Sequence, residues 1–233
     1  MESKKIDKGK IQIPHSLIIP FENEKNSLNL LFKVTYPNLH TSYSNLSFIT
    51  SRAILTTKYD FVDEINDMLI IQFPTTEKTY LATDETIIQR IKVNTKTYCL
   101  CNGTHLIYND IKSYVISATT SNGDFKNTHV FIPRIPLLTS EDEKLPLPFK
   151  RIQFPIRLCF AMTINKAQGK TLDFVGIYLR EPVFSHGQLY VALSRDKSSN
   201  CVKILIRPPI GDNNDDTSTY NIVHDEIIEN GFS

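Results

Sequence analysis

The sequence predicts an α/β fold built on a parallel sheet, and three observations carry that reading. The first is order: residues 156–206 alternate strand-like runs with short helical segments, the pattern that strand–crossover–strand units leave in a sequence. The second is texture: IRLCFAMT (156–163), DFVGIYL (173–179) and VKILI (202–206) are almost continuously apolar, as strands covered on both faces are. The third is composition: 41% hydrophobic and 22% charged residues in a chain of 233 describe a globular protein, not a disordered or collagen-like one.

Residues 1–50 read as an N-terminal segment or linker. Within it IPHSLIIPF (13–21) is an extended stretch bounded by proline. SLNLLFKVTYP (27–37) is a short helix with Ser27 as N-cap and Pro37 just past its end. RAILTT (52–57) is a buried strand. Phe61, Val62, Ile65, Met68 and Leu69 then fall on one face of a helix over about 60–71, with Asp60 at its start and Pro74 beyond its end. Residues 73–150 change texture and are dense in Thr, Ser, Asn and β-branched residues. SYVISATT (113–120), the turn SNGD (121–124) and THVFIP (128–133) predict a hairpin. Residues 134–155, with Pro136, Pro146, Pro148 and Pro155 and no helical period, predict an extended surface connector. SHGQLYVALSR (185–195) predicts a helix with Ser185 as N-cap and Leu189, Ala192 and Leu193 facing inward. Residues 208–233 predict an acidic, flexible tail, ordered only near Tyr220–Val223.

Charge is uneven. The chain has 26 Lys+Arg and 25 Asp+Glu, yet residues 150–207 hold ten Lys or Arg and three Asp or Glu, a net +7, and the last 23 residues hold six Asp or Glu and no Lys or Arg. A clustered positive field suits phosphate. Cys99, Cys101, Cys159 and Cys201 are too few for a disulfide framework in 233 residues and include no Cys-x-x-Cys pair of zinc-ligand spacing. Reduced thiols, no apolar run of membrane-spanning length and no secretory core predict an intracellular, reducing setting, nuclear or organellar, with no membrane partner. The sequons at Asn45 and Asn102 are chance matches in that setting.

Gly169-Lys170-Thr171 has the ending of a phosphate-binding P-loop, but Ile164 stands where its first glycine belongs and strand-like LDFVGIYL follows it. A P-loop must open a helix whose amides face the phosphates, so this one is rejected. The chain has no other Gly-Lys-Ser/Thr.

The chemistry concentrates in FAMTINKAQGKT (160–171) and HGQLYVALSR (186–195). A buried strand ending in Thr163, Asn165, Lys166 and Gln168 puts polar groups at a strand's carboxyl end, where open α/β sheets bind ligands. Gly169 permits close backbone approach, and Arg195 ends an otherwise apolar helix from which it can reach a phosphate. Taken singly, each residue also fits an ordinary role: Thr163 as a cap, Lys166 and Gln168 in solvent, Arg195 paired with a surface acid.

Together the segments resemble a known family. FAMTINKAQGKTLDFVGIYL resembles motif V of superfamily-one helicases and HGQLYVALSR resembles motif VI. RAILTTKYDFVDEINDMLI (52–70) is similar to the start of the second RecA-like domain, and CNGTHLIYN and VFIPRIPL resemble the insertion before motif V. The chain thus looks like PIF-type (petite-integration-frequency) DNA helicases, in the branch carried by Helitron transposons, over about residues 50–207.

The resemblance implies an incomplete second RecA-like, P-loop NTPase-like domain at 51–72 and 151–207, with a small, shortened SH3-like β insertion at 73–150. It implies ATP-dependent 5′-to-3′ unwinding of DNA, in repair, recombination or transposition, with ATP and Mg²⁺ as cofactors and single-stranded DNA as partner. Thr163, Asn165 and Lys166 would contact DNA phosphates, Gln168 and Gly169 would couple that contact to the nucleotide, and Arg195 would act as the arginine finger. Many relatives have His at the position of Asn165. The Walker A lysine and the Mg²⁺-binding acids of a first RecA-like domain are not in these 233 residues, so the chain is expected to be inactive unaided. The run QRIKVNTKTYCLC (89–101) is short against the family, which predicts a sheet missing a central strand. The alternative function is a non-catalytic single-stranded nucleic-acid-binding remnant of a transposon-derived gene, and a third reading is a poorly folding fragment with no function.

Overall fold

The computed structural model describes residues 9–42, 45–72, 83–86, 100, 104–121, 125–138, 149–195, 198–208 and 217–222. In chain order its elements are β1 (Lys10–Gln12), α1 (Glu24–Thr35), α2 (Leu39–Ser42), α3 (Leu46–Thr50), β2 (Arg52–Thr56), α4 (Tyr59–Ile70), β3 (Thr83–Thr86), β4 (Leu106–Ile111), β5 (Val115–Thr120), β6 (His129–Pro133), β7 (Ile135–Leu138), β8 (Phe149–Gln153), β9 (Ala161–Thr163), β10 (Phe174–Leu179), α5 (Gln188–Leu193), β11 (Val202–Ile206) and β12 (Ser218–Tyr220). They fall into two compact units, one from Met1–Pro74 with Leu158–Ser233 and one from Thr75–Arg157.

The first unit holds the predicted parallel sheet, in the order β11-β10-β2-β9, with every pairing parallel. Alternate residues serve two cores. Ile54, Ala161, Tyr178 and Leu205 pack against Leu28, Leu31 and Phe32 of α1 and Val62, Ile65 and Leu69 of α4. Ala53, Leu55, Met162, Val175, Ile177 and Ile204 pack against Leu189 and Ala192 of α5 and against Ile164 and Ala167. Two buried faces explain why these strands read as unbroken apolar runs. At Gly176 the fit is close: a Cβ there would lie 2.5 Å from Thr35 Oγ1 and 3.1 Å from Leu31 Cδ1, so glycine lets α1 sit directly on β10.

Local chemistry corrects several expectations. Helix α1 begins earlier than predicted because Asn23, not Ser27, is its N-cap: the Asn23 side chain accepts from the Asn26 amide at 2.9 Å. Ser27 is buried inside the helix, where its hydroxyl accepts from Glu22 N at 3.0 Å. The 13–21 stretch is extended except for a 3-10 turn at His15–Leu17, and Ile18 bridges Ile204. The predicted strand over 156–163 shrinks to Ala161–Thr163, with Ile156 and Leu158 exposed. Part of the tail is ordered: Ser218–Tyr220 pairs antiparallel with Lys10–Gln12.

Of the short run 89–101 only Leu100 lies within the described residues. The four strands hydrogen-bond without a break, and β9 lies at the edge among the described residues. Buried Asn66 of α4 serves that edge: its Oδ1 accepts from Ala161 N at 2.9 Å and its Nδ2 donates to Leu158 O at 3.3 Å. A side-chain amide thus does for β9 what a further strand's backbone would do. Tyr36, just past α1, braces the amino ends of β2 and β9 as well, its hydroxyl within donor reach of Phe160 O (2.9 Å) and Arg52 O (3.2 Å).

In the second unit β4-β5-β6 form an antiparallel sheet with a bulge between Tyr108 and Asp110, over a small core of Ile116, Ala118 and Ile132. The predicted hairpin is present as β5 and β6; Asn122–Asp124 of its turn lie outside the described residues. The predicted connector over 134–155 instead contributes two strands: β7 and β8 pair antiparallel, and β8 also pairs with β3. Pro136 is compatible with this because β7 is an edge strand, whose outward side needs no donor.

Candidate functional site

The carboxyl ends of β2, β9 and β10 meet the loop after β9 and helix α5. Residues Ile164–Ala167 form one 3-10 turn with buried Ile164 and Ala167 pinning it to the core, so Asn165, Lys166 and Gln168 are left exposed. Thr163 is 5% exposed and is the residue before the turn, though its side chain makes no capping bond. Its partner across the ladder is Thr56. Gly169 has φ +78, a left-handed conformation that glycine adopts without strain, and it turns the chain back toward the sheet.

Helix α5 begins later than predicted, with Gly187 (φ +69) rather than Ser185 at its N-cap. That start brings Gln188 to the buried side. The Gln188 Oε1 accepts from Phe184 N at 3.0 Å and its Nε2 donates to Asn165 Oδ1 at 3.3 Å. One amide therefore joins the α5 segment to the loop after β9. Sequence reasoning passed over Gln188; the polar residue on the otherwise apolar inner face of the helix was the available signal.

Arg195 makes the second connection. Its guanidinium donates to Val191 O (2.9 Å), Ala167 O (3.3 Å), Lys170 O (3.4 Å) and Ser194 Oγ (2.8 Å). Its backbone carbonyl accepts from Leu172 N at 2.8 Å. The side chain is half-buried and folded onto the loop, not extended toward solvent, and no carboxylate pairs with it among the described residues. Lys166 lies with its Nζ 4.9 Å from the Tyr59 ring centroid. Burial pushes the Lys170 ammonium below its ordinary range; Cys159 opposes this in part, and the like charge of Lys166 adds a smaller lowering. The structure thus brings Thr163, Asn165, Lys166, Gln168, Gly169 and Arg195 into one loop–helix assembly. Among the described residues no group of His, Cys, Asp and Glu could hold a metal ion, and no helix is long and apolar enough to cross a membrane.

A parallel sheet covered on both faces, with a polar loop and an arginine-bearing helix at the strands' carboxyl ends, is a lobe of the RecA-like class. Comparison with solved structures agrees. A Pif1 helicase from Bacteroides in complex with ADP-AlF3 and ssDNA matches with TM-score 0.58 and 20% identity, over 90% of this chain and 50% of that one. The Pif1 helicase of Candida albicans matches with TM-score 0.51 and 20% identity, over 89% of this chain and 53% of that one. By sequence the chain is similar to the ATP-dependent DNA helicase PIF1 of Homo sapiens, 48% identical over 60 residues, and to that of Candida albicans, 42% identical over 67 residues. Those stretches are 26% and 29% of this chain but 9% and 7% of the relatives. No family model matches. The resemblance read from the two motif segments is therefore to PIF1-type ATP-dependent DNA helicases, and the chain spans about half the length of the solved relatives.

Proposed function

We propose that this chain is the motif V and VI lobe of a PIF-type, ATP-dependent 5′-to-3′ DNA helicase, of the Helitron-carried branch, working in the nucleus or an organelle. The observation that supports it most is the joining of the two motif segments, in which Gln188 bonds to Asn165 and the Arg195 guanidinium bonds to the carbonyls of Ala167 and Lys170. The Gln188 bond joins a DNA-side loop to a nucleotide-side helix, and the Arg195 bonds are the ones that ATP would exchange. In this reading the exposed side chains of Asn165 and Lys166, with Thr163 beneath them, hold phosphates of single-stranded DNA. Gln168 and Gly169 carry displacement between that strand and the nucleotide, and Arg195 turns from the loop carbonyls to the γ-phosphate of ATP.

ATP with Mg²⁺ supplies the driving reaction, and its main binding groups belong to a P-loop lobe that must stand beside this one. Arg195 is the group of these motif segments suited to the transferred phosphate. Guanidinium stabilisation alone does not replace a P-loop lysine and a metal ion, so the isolated chain binds DNA but does not turn over ATP. The test has two arms. Binding of a labelled oligothymidylate is expected to weaken steeply as salt rises, and an ATPase assay of the pure chain with that DNA is expected to stay at background. Salt-independent or absent binding overturns the DNA assignment. DNA-stimulated hydrolysis overturns the assignment of the missing groups to another lobe.

A further inference from the structure

Helix α5 ends on an exposed hydroxyl that the Arg195 guanidinium already touches. Ser194 is the C-cap of α5, and its backbone amide donates to Tyr190 O at 2.9 Å. Its side chain stands in solvent. The Ser194 Oγ donates to Val191 O at 3.3 Å and accepts from Arg195 Nη2 at 2.8 Å. A hydroxyl at this place is open to a modifying enzyme from the solvent side and faces a cation from the other.

The donor set of Arg195 is incomplete. A guanidinium has five N–H donors, one on Nε and two on each Nη. Nε donates to Val191 O, Nη1 to the carbonyls of Ala167 and Lys170, and Nη2 to Ser194 Oγ. The other N–H of Nη2 takes no acceptor among the described residues. Every acceptor that Arg195 does have is uncharged, and no carboxylate pairs with it among those residues. A charge held half-buried ordinarily has a counter-charge beside it. The missing partner is therefore an anion, and the open donor is on the nitrogen that already holds Ser194.

We propose that Ser194 is a phosphorylation site and that its phosphate latches Arg195 in the folded position on the loop. The phosphoryl donor is ATP held by a separate protein kinase. Ser194 Oγ forms a bond to the γ-phosphorus, and the bond from that phosphorus to the β,γ-bridging oxygen breaks. ADP leaves with the electron pair, and the hydroxyl proton passes to the kinase's base. Arg195 and Lys197 follow the serine, which suits a kinase that reads basic residues on the carboxyl side of its target. The phosphate brings about two negative charges and three strong acceptor oxygens, and it takes the open Nη2 donor in a charge-assisted bond. Nη1 keeps the carbonyls of Ala167 and Lys170, so the loop contacts are strengthened, not exchanged. An anion at the carbonyl end of a helix is otherwise unfavourable, so the phosphate depends on the guanidinium for compensation. The consequence for catalysis rests on the helicase reading above: a guanidinium held by phosphoserine is not free to meet the γ-phosphate of a bound nucleotide.

The test has two arms, both on the full chain. In the first, the folded protein is treated with Mg²⁺-ATP and a panel of serine kinases that read basic residues on the carboxyl side. Peptide mass spectrometry is expected to place phosphate on Ser194, and Ser194→Ala is expected to lose it. No phosphate at Ser194 with any of them refutes the modification site. In the second arm, phosphoserine is incorporated at position 194 during synthesis, so that every molecule carries it. The Lys170 amide, which bonds Ala167 O at 3.0 Å, is expected to exchange about 3- to 10-fold more slowly than in the unmodified chain, the effect of one added charge-assisted bond. In Arg195→Gln the same phosphate should leave that exchange unchanged. Unchanged or faster Lys170 exchange in the phosphorylated wild type refutes the latch, as does equal slowing in Arg195→Gln. Neither arm reads DNA binding or ATP turnover by this chain. A failure here therefore leaves the helicase reading standing, and a failure of oligothymidylate binding leaves the phosphorylation site and its contact with Arg195 standing.

Discussion

The guanidinium of Arg195 donates to the carbonyl of Ala167 at 3.3 Å, across 28 residues of sequence. With the Lys170 carbonyl at 3.4 Å and Val191 O at 2.9 Å, it ties the carboxyl end of α5 to the loop after β9. Charged donors to partly buried carbonyls contribute about 1.5–3 kcal/mol each at the upper end, less where water competes. Arg195→Ala is therefore expected to destabilise the chain by about 1–3 kcal/mol in urea unfolding. The amide of Lys170, which bonds Ala167 O, should exchange faster. Arg195→Lys should recover only part, because one ammonium cannot span the carbonyls that a planar fork reaches. Unchanged stability and exchange in Arg195→Ala would remove the structural role given to this contact.

Asn66 makes a similarly specific prediction. It is 4% exposed and its amide matches one donor and one acceptor of the edge strand. Asn66→Leu keeps the volume near constant but leaves the Ala161 amide and the Leu158 carbonyl without it. A buried unsatisfied donor costs about 1–3 kcal/mol, so the variant's denaturation midpoint should fall accordingly at an unchanged m-value. A neutral result would mean that water reaches the β9 edge.

The same residues show where sequence was legible. Strands β2, β10 and β11 are covered on both faces, so their apolar runs could be read directly, and parallel pairing followed from their alternation with helices. Helix α4 was legible because its buried residues repeat at helical spacing. The run over 156–160 misled because apolar side chains there, Ile156 and Leu158 among them, stand partly in solvent. The prolines of 134–155 misled because an edge strand tolerates them. Caps failed where two candidates compete: Asn23 starts α1 ahead of Ser27, and a left-handed Gly187 starts α5 after Ser185. At the site, residue types and their order marked the loop and Arg195. The contacts of Arg195, Gln188 and Thr56 depend on tertiary register, which no local pattern encodes.

Tyr36 predicts a pH dependence. Burial pushes its phenol well above the ordinary value of 10.0, and the fully buried hydroxyl stays protonated in the folded chain. Above pH 10 the unfolded chain loses this proton while the folded chain keeps it. The unfolded state then binds fewer protons, so stability falls as pH rises. The slope approaches about 1.4 kcal/mol per pH unit for one such group. Tyr36→Phe gives up the bonds to Phe160 O and Arg52 O and should be less stable at pH 7 by about 0.5–1.5 kcal/mol. Its stability should also decline less steeply between pH 10 and 11. Parallel wild-type and variant curves through that window would show that Tyr36 ionises freely in the folded state.

Gln188 separates positioning from contact. It is 2% exposed and touches Asn165 and Phe184 N through its two amide atoms, so it orients the loop without itself presenting a group to a phosphate. If Asn165 and Lys166 hold DNA, Gln188→Leu should weaken oligothymidylate binding by about 3- to 10-fold, the effect of one misplaced hydrogen-bonding side chain. The salt slope should not change, because the number of cations meeting phosphates is unaltered. Lys166→Ala should do the reverse, lowering the slope as well as the affinity. Gln188→Glu gives an internal control. Its carboxylate can still accept from Phe184 N but cannot donate to Asn165 Oδ1 when ionised, so it should bind DNA as poorly as the leucine variant. A slope that falls with Gln188→Leu would mean that the loop's cations move with this amide, and that Gln188 sets the position of Lys166 as well as of Asn165.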